Sequence, residues 1–252
     1  MRRAKKKSNN SKVKIFSNNV AGLKRKIQSL KSQLTETNAA IFTLQETHSS
    51  RKGKIKVDEF QVYEAIRQNK KDGGTAIGVH KSLNPFVIKV YEDDFELLVV
   101  EAVIEGTNVR IISGYGPQES WSESERLPFF VALEEEILNS RLSGKPVIVQ
   151  LDANSKLGPH LIKNDPHEQS PNGSILADIL ERQQLVLVNG LGEKCSGVIT
   201  RKRKTVKTVE QSIIDFMIVS DEVADVLEDM LIDEDKTHAL VGYFKTKKGV
   251  NK

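Results

Sequence analysis

Several short apolar runs of the chain end abruptly in a polar residue that a β-strand does not need, and this feature constrains the fold most. The runs AAIFTL (residues 39–44) and KPVIVQL (residues 145–151) are largely apolar and do not alternate with polar residues. Such runs are typical of strands that are buried on both faces. A strand of this kind needs a second sheet on one side and a layer of helices on the other. The pattern therefore predicts an α/β sandwich.

Other segments support the same architecture. Ten segments have the composition of strands: residues 13–18, 39–44, 60–66, 74–80, 86–91, 97–104, 108–115, 146–152, 185–189 and 212–219. Three segments predict helices: one through Leu23, Ile27, Leu30 and Leu34, and those of residues 124–138 and 175–183. A chain of 252 residues with 38% hydrophobic content can bury one sizeable core. We expect a basic, flexible tail at residues 1–12 and one domain at residues 13–252.

Four of the predicted strands deliver a carboxylate or an amide. The first run closes at Asn19, the second is followed by Glu46, and the run of residues 146–152 delivers Asp152 and then Asn154. Because strand side chains alternate with a period of two, we expect Asp152 and Asn154 to share one face. Asp215 lies inside the apolar stretch IIDFMIV, where a carboxylate is costly unless it is paired or binds a metal.

Each of these polar residues also has a simpler explanation. An acid at a strand end often begins a turn or caps a helix, and any one of them alone is more often explained in that way. Four such ends, together with G-Y-G-P at residues 114–117, are harder to explain as turns. The combination favours a catalytic site.

The motifs N-x-x-G-L, Q-E-T-H, Y-x-P, D-x-N and I-D, in this order, resemble the endonuclease/exonuclease/phosphatase superfamily. This superfamily includes abasic-site endonucleases, deoxyribonuclease I and the endonucleases of non-LTR retrotransposons. The resemblance runs from about residue 13 to residue 219, and Q-E-T-H, G-Y-G-P-Q and L-D-A-N are most similar to the retrotransposon branch. It implies a four-layered α/β sandwich, with two mixed β-sheets face to face, helices outside, and the site at one edge.

The resemblance also implies a role for each motif residue. Glu46 would ligate Mg²⁺ or Mn²⁺, with Asn19 beside it as a further metal-site residue, because hard cations take oxygen ligands. Asp152 would orient or deprotonate the attacking water, and Asn154 would hydrogen-bond the phosphorane as charge develops on its oxygens. Tyr115 would contact the phosphate.

Asp215 would orient the histidine of a terminal S-D-H motif, and the sequence lacks this motif. The nearest candidate is His238 in K-T-H, 23 residues after Asp215. Residues 229–233 and 239–244 have the pattern of two strands around an acidic turn, which favours His238 as an ordinary hairpin residue. We therefore expect the S-D-H motif to lie beyond residue 252, so that the domain is C-terminally incomplete.

Basic residues are concentrated in strips. Residues 1–14 carry seven Lys/Arg and no acid, so the net charge of +4 leaves 4 − 7 = −3 for the remainder. Such strips can follow a phosphate backbone. Residues 198–203 stand where retrotransposon endonucleases project a hairpin towards a DNA groove, so we predict DNA contacts for Arg201 and Arg203, and a backbone contact for Lys156. A solvated hairpin and, for the tail, a nuclear-targeting segment are the alternatives.

The sequence argues against several functional classes. No apolar run approaches the roughly 18 residues of a membrane span, and the single Cys195 excludes an intramolecular disulfide. The leading hypothesis is a Mg²⁺- or Mn²⁺-dependent endonuclease that nicks double-stranded DNA at a retrotransposon target site, in the nucleus and alongside a reverse transcriptase domain. The alternatives are a phosphodiesterase or phosphatase that acts on another ester, and a truncated remnant that at most binds DNA.

Overall fold

Two mixed β-sheets packed face to face form the body of the protein in the computed structural model, which describes residues 13–67, 73–92, 94–204, 208–233 and 239–244. Within these residues the strands are β1 Val13–Asn19, β2 Ile41–Gln45, β3 Phe60–Ala65, β4 Thr75–His80, β5 Phe86–Tyr91, β6 Glu96–Ile104, β7 Thr107–Tyr115, β8 Val147–Asp152, β9 Val186–Leu187, β10 Cys195–Ser196, β11 Arg201–Lys204, β12 Val209–Ser212, β13 Asp215–Val219, β14 Leu227–Asp233 and β15 Ala239–Phe244. The helices are α1 Ile27–Thr37, α2 Glu123–Leu142, α3 Pro171–Arg182 and α4 Asp221–Val226.

The strands of the described ranges form two large sheets and one hairpin. The first sheet has seven strands in the order β10-β14-β15-β1-β2-β4-β3, and the second has six in the order β5-β6-β7-β8-β13-β9. Within the described residues, strands β11 and β12 pair only with each other. In the part of the chain that the structure describes, no helix has both the length and the apolar character that a membrane crossing requires.

The main apolar core lies between the two sheets. Ile15 and Ile41 of the seven-stranded sheet pack in one cluster with Ile111, Ile148 and Met217 of the six-stranded sheet. Phe16 and Phe42, the next residues along β1 and β2, belong instead to the cluster on the outer face of the seven-stranded sheet. This double burial explains why these runs are apolar without alternation.

Helices cover the outer face of each sheet. Leu30 and Leu34 of α1 pack on Phe42 of the seven-stranded sheet. Phe129 of α2 and Leu176 of α3 belong to the cluster on the outer face of the six-stranded sheet. The predicted four-layered α/β sandwich is therefore confirmed.

Strand direction brings the polar strand ends to one edge. Strands β1 and β2 are parallel, with Asn19 opposite Gln45. Strands β7 and β8 are parallel, with Tyr115 opposite Asp152. Strand β13 runs antiparallel to β8, so its first residue, Asp215, also lies opposite Asp152. The last residues of four strands and the first residue of a fifth therefore meet at the same edge of the sandwich.

Two predicted strands are wrong in extent. Residues 212–219 form two strands, because Ser212 ends the hairpin strand β12 while Asp215 begins β13 in the six-stranded sheet. Residues 185–189 give only the two-residue β9, which a turn at Val188–Gly190 follows. The Asn189 side chain accounts for this turn, because it donates to Asp215 O at 3.0 Å and accepts from Met217 N at 2.9 Å. A side-chain amide thus replaces the backbone partner that a longer β9 would supply.

Two of the three predicted helices extend beyond their expected bounds. Helix α2 starts at Glu123 because Ser122 and Glu125 form a capping box, and α3 starts at Pro171 because the Ser170 hydroxyl accepts from Gly173 N. Leu23 is buried but precedes α1. The short helix α4 was not predicted.

The C-terminal strands pair as the sequence indicates. Strands β14 and β15 are antiparallel, and β15 also pairs with β1, where Ala239 lies opposite Asn18. The acidic turn and His238 lie outside the described residues, as do the basic tail and the last residues of the chain.

Substitution of Gly78 tests how closely β4 packs against its neighbour β2. A Cβ atom at Gly78 would lie 2.1 Å from the ring of Phe42, which is fully buried. We expect Gly78→Ala to lower the free energy of unfolding by about 1–3 kcal/mol through overpacking, as measured by urea denaturation.

Phe42→Leu supplies the control, since it removes the ring that the new methyl group meets. The double variant should lose less stability than the sum of the two single variants, because the two sites interact. Simple additivity would contradict the proposed clash.

Candidate active site

A buried hydrogen bond between the two sheets forms the centre of the site. Asn19 ends β1 and Asp152 ends β8, and Asn19 Nδ2 donates to Asp152 Oδ2 at 2.6 Å. Both residues are almost completely buried, with 7% and 1% exposure. A carboxylate only accepts hydrogen bonds, so the amide nitrogen must face Asp152, and Asn19 Oδ1 accepts from Ala21 N at 3.0 Å. The Asn19 amide therefore has one fixed orientation.

The segment after β2 holds Glu46 through its backbone. Glu46 and His48 both adopt left-handed conformations, each with φ of 50°. Glu46 O accepts from Gly22 N at 2.8 Å, and the amides of Thr47 and His48 donate to the carbonyls of residues 74 and 73. The Glu46 side chain keeps 25% of its surface exposed, and its Oε2 lies 3.7 Å from His48 Nε2. This carboxylate is thus fixed at the opening of the site.

Tyr115 lies between the two carboxylates. Burial raises the pKa of the Tyr115 hydroxyl well above its ordinary value, and the negative charges of Glu46 and Asp152 raise it further. The raised pKa keeps the hydroxyl protonated throughout the neutral range. The hydroxyl hydrogen-bonds Glu46 and accepts from Gln118 Nε2 at 3.1 Å, so donation to an anionic substrate would replace its contact with Glu46.

The prediction that strand alternation places Asp152 and Asn154 on one face is wrong, because Asn154 lies outside the strand. Strand β8 ends at Asp152, and Asn154 adopts a left-handed conformation with φ of 45°. Asn154 N donates to Asp152 Oδ1 at 3.2 Å, and Asn154 Nδ2 donates to Gly116 O at 2.9 Å. A tight turn, not the strand pleat, brings the amide back towards Tyr115 and Asp152.

Asp215 reaches the same edge from the opposite direction. The sequence places it inside one strand of residues 212–219, but it is the first residue of β13, and it is buried. The Thr200 hydroxyl accepts from the amides of Ile214 and Asp215 at 3.0 and 3.2 Å. Sequence reasoning missed both Thr200 and Asn189, although Asn189 is a further polar residue at the end of an apolar run.

The residues present fit a hard divalent cation that keeps most of its water. No group of three His, Cys, Asp or Glu side chains within the described ranges could hold a metal by itself. Mg²⁺ usually takes only one or two carboxylates and retains several waters. The partly exposed Glu46 carboxylate meets this requirement, whereas the oxygen of Asn19 already accepts from Ala21 N. A metal at Glu46 and Asn19 stays a prediction.

The basic hairpin begins beside Asp215. Thr200, which binds the Asp215 amide, directly precedes β11. Arg201 and Arg203 lie two residues apart on β11 and therefore project from the same face of the ribbon. Lys156 follows the D-x-N turn, and its amide donates to the Ser170 hydroxyl at 3.0 Å, at the start of α3. The predicted hairpin is present, and its contact with DNA stays a prediction.

Solved structures of nucleic-acid enzymes share this architecture. The endonuclease domain of TRAS1, a telomere-specific non-LTR retrotransposon, has a TM-score of 0.70 and 19% identity, over 94% of this chain and 100% of that one. The 3′-5′ exonuclease NExo from Neisseria meningitidis has a TM-score of 0.71 and 16% identity, over 93% and 100%. The AP endonuclease LMAP from Leishmania major has a TM-score of 0.74 and 14% identity, over 94% and 88%.

The chain shares a deoxyribonuclease I-like fold with these structures, and its motifs resemble those of the endonuclease/exonuclease/phosphatase superfamily. No protein-family profile matches the chain, and no curated protein matches it in sequence. The likeness to this superfamily therefore rests on the three-dimensional arrangement and on the short motifs at the strand ends.

The contact of Asn19 with Asp152, which joins the two sheets of this superfamily fold, gives a stability prediction. Asn19→Ala removes a charge-assisted hydrogen bond, so we expect the free energy of unfolding to fall by about 1.5–3 kcal/mol in urea at pH 7. Asn19→Asp should cost more, because it places a second carboxylate within hydrogen-bond distance of the first. Equal losses in the two variants would contradict a direct contact with the Asp152 carboxylate.

Proposed function

We propose that this chain is a Mg²⁺- or Mn²⁺-dependent phosphodiesterase that acts on double-stranded DNA. The specific form of the proposal is an endonuclease that nicks one strand at the target site of a retrotransposon, next to a reverse transcriptase domain. The convergence of Glu46, Tyr115, Asp152 and Asn154 around the buried Asn19–Asp152 contact carries the proposal. The fold shared with an endonuclease domain, an AP endonuclease and an exonuclease supports it.

Two carboxylates have separate tasks in this proposal. Glu46, at the opening, would hold the cation, which when bound would supply a Lewis acid that neutralises phosphate charge and stabilises the leaving oxygen. Asp152 would accept the proton of the attacking water. The neutral Asn19 amide holds one oxygen of Asp152, and the Asn154 backbone amide holds the other. Asp152 is thereby aligned before substrate arrives.

Hydrogen-bond donors face the same space. Tyr115 remains protonated because of its raised pKa, and its hydroxyl would donate to a phosphate oxygen. The Asn154 side-chain amide donates to Gly116 O and also hydrogen-bonds the Tyr115 hydroxyl, and it would redirect this second hydrogen to the phosphorane. Preorganised donors of this kind stabilise the charge that develops in the transition state.

The sequence offers His238 as a candidate for the histidine role. His238 lies outside the described residues, but the residue that follows it, Ala239, pairs with Asn18 next to Asn19. Substitution of His238 tests whether it fills the histidine role or is an ordinary hairpin residue.

The basic hairpin supports DNA as the substrate. Arg201 and Arg203 begin directly after Thr200, which binds the backbone of Asp215 at the site edge. A nucleic-acid backbone that crossed the site could therefore reach these cations. Among proteins of the same fold, the 3′ phosphatase NExo from Neisseria has been solved bound to a product DNA hairpin.

Two other functions compete with this proposal. An exonuclease or phosphatase is the first, since NExo is described both as a 3′-5′ exonuclease and as a 3′ phosphatase. A remnant that binds DNA without turnover is the second, and the lack of an S-D-H motif within the sequence favours it.

The proposed activity is tested by nicking of supercoiled plasmid in the presence of Mg²⁺. We expect nicked circles from the chain, and a loss of about 10²- to 10⁴-fold in rate for Asp152→Ala, because the general base is removed. Asp152→Asn is the matched variant, since its amide oxygen can still accept from Asn19. DNA binding, measured by fluorescence anisotropy, should persist in both variants. Undiminished nicking by Asp152→Asn would remove Asp152 from the mechanism.

The same assay separates the competing functions. Release of phosphate or single nucleotides from a duplex end, without nicking, would favour the exonuclease or phosphatase. Plasmid binding without any cleavage would favour the remnant. In an active chain, His238→Ala should slow nicking by about 10²- to 10⁴-fold if this residue fills the histidine role. An unaffected rate would assign that role to another group.

DNA contact by the hairpin gives a separate prediction. The double variant Arg201→Ala/Arg203→Ala should bind duplex DNA more weakly, and the slope of log Kd against log salt should fall by about 1 for each lost phosphate contact. Lys202→Ala is the matched control, because this residue projects from the other face of the ribbon. A salt slope equal to that of the unmodified chain would rule out the hairpin as a phosphate-binding element.

A further inference from the structure

A buried ion pair makes a second connection between the sheets beside the site. Arg67 lies two residues after β3, in the seven-stranded sheet, and Glu96 is the first residue of β6, in the six-stranded sheet. Arg67 Nη2 donates to Glu96 Oε2, and the two side chains are 9% and 0% exposed. None of the motifs in the sequence includes either residue.

The second oxygen of Glu96 leads to the Glu46 segment. Glu96 Oε1 accepts from Gly74 N at 2.9 Å. The carbonyls of Gly73 and Gly74 in turn accept from His48 N at 2.9 Å and Thr47 N at 3.1 Å. The Glu96 carboxylate therefore supports Gly73 and Gly74, directly before β4, and the carbonyls of these two residues hold the backbone that follows Glu46.

Glycine is required for this close approach. A Cβ atom at Gly73 would lie 2.4 Å from Glu96 Oε1, and one at Gly74 would lie 2.6 Å from Thr47 Oγ1. Both glycines also have positive φ, of 110° and 87°. The two glycines thus leave room for the Glu96 carboxylate beside Gly73 and for Thr47, which follows Glu46, beside Gly74.

The guanidinium of Arg67 leads to Tyr115. Its Cζ lies 6.0 Å from the centroid of the Tyr115 ring and 5.5 Å from that of Trp121. Glu96 is also the direct strand partner of Tyr115 in the β6–β7 ladder. The Arg67–Glu96 pair therefore contacts both Gly74, which helps to hold the Glu46 segment, and the ring of Tyr115.

We propose that Arg67 and Glu96 form a positioning pair that fixes the Glu46 carboxylate and the Tyr115 hydroxyl relative to each other. The catalytic meaning of this pair rests on the proposed function. Arg67 neutralises the buried Glu96 charge, and its planar guanidinium can pair with a carboxylate and lie against aromatic rings at the same time. Lysine keeps the charge but lacks this plane. Both residues act through Glu46 and Tyr115 and not by contact with substrate.

A second ion pair of similar burial provides the matched control. Glu101 and Arg110 also belong to β6 and β7, with Arg110 Nη2 2.8 Å from Glu101 Oε1 and side chains that are 7% and 0% exposed. Arg110 precedes Tyr115 by five positions on β7, or about 17 Å along the strand. Arg110→Lys therefore perturbs a buried pair at the far end of the same strands, where Lys145 Nζ also contacts Glu101, at 2.7 Å.

The test compares Arg67→Lys with Arg110→Lys in the full chain. Amide hydrogen exchange is measured at Thr47, His48 and Gly74, and fluorescence is measured from Trp121, the single tryptophan of the sequence. Arg67→Lys should speed exchange at these three amides and shift the Trp121 emission, because the support of the segment is loosened. Arg110→Lys should lower the Tm without either change. Unchanged exchange in Arg67→Lys, or the same changes in Arg110→Lys, would overturn the proposal.

Activity supplies an independent measurement. In Mg²⁺-dependent nicking, Arg67→Lys should lower kcat by about 10- to 100-fold, the usual cost of losing an outer-shell partner. The KM for plasmid should stay unchanged, because the predicted DNA contacts lie elsewhere. A rise in KM at constant kcat would contradict a positioning role.

The two proposals fail in different ways. If the unmodified chain does not nick DNA but Arg67→Lys still loosens the three amides, the proposed function is wrong and the structural coupling stands. If the chain nicks DNA and the amides do not respond, the positioning pair is wrong. Should Arg67→Lys not fold, Glu96→Gln replaces it. The glutamine oxygen can accept from Gly74 N, but the side chain loses the charge that pairs with Arg67 and is no longer held in place, so the same loosening is expected. Its absence would overturn the proposal.

Discussion

The hydrogen bond between Asn19 and Asp152 is the contact on which the rest of the site depends. It joins the ends of β1 and β8 across the two sheets, away from solvent, at 2.6 Å. A buried carboxylate needs donors, and a neutral amide supplies one without an ion pair. An arginine or lysine there would place a competing cation beside the predicted metal residue. The choice of an amide therefore keeps the negative charge of Asp152 available at the edge of the sandwich.

The interface between the sheets changes character towards that edge. Ile15, Ile41 and Ile111 form an apolar core at one end. Nearer the site the Thr43 hydroxyl donates to Gln150 Oε1 at 2.7 Å, and Gln45 Nε2 donates to the Ser113 hydroxyl at 3.1 Å. Apolar packing tolerates small shifts, whereas buried hydrogen bonds lose their partner when two sheets slide. The polar layer therefore fixes the register of the strand ends that carry Asn19, Tyr115 and Asp152.

The sequence predicts the residues that follow local rules and misses those that depend on distant partners. Asn19, Glu46 and Asp152 stand out because each directly ends or follows a buried apolar run. The turn at Asn154 could not be predicted from the sequence, because only the residue type indicates that a position can adopt a left-handed backbone. Arg67 and Glu96 are hidden for another reason: they are ordinary charged residues near strand ends. Their role arises only when pairing of β6 with β7, and packing of the two sheets, brings residues 29 positions apart into contact.

Several residues around the site have a strained backbone conformation. Of the ten non-glycine residues with positive φ in the described chain, four lie here: Ala21, Glu46, His48 and Asn154. Such conformations cost of order 1–3 kcal/mol each and persist only where surrounding contacts determine them. Asparagine and histidine adopt this region more readily than most residues, but alanine and glutamate do not, so Ala21 and Glu46 are strained where glycine would not be. Hydrogen bonds from Ala21 N to Asn19, from Gly22 N to Glu46 O and from His48 N to Gly73 O offset the cost. These strained residues lie beside the two carboxylates of the proposed hydrolytic site, where the same hydrogen bonds that offset the strain also fix the backbone that carries them.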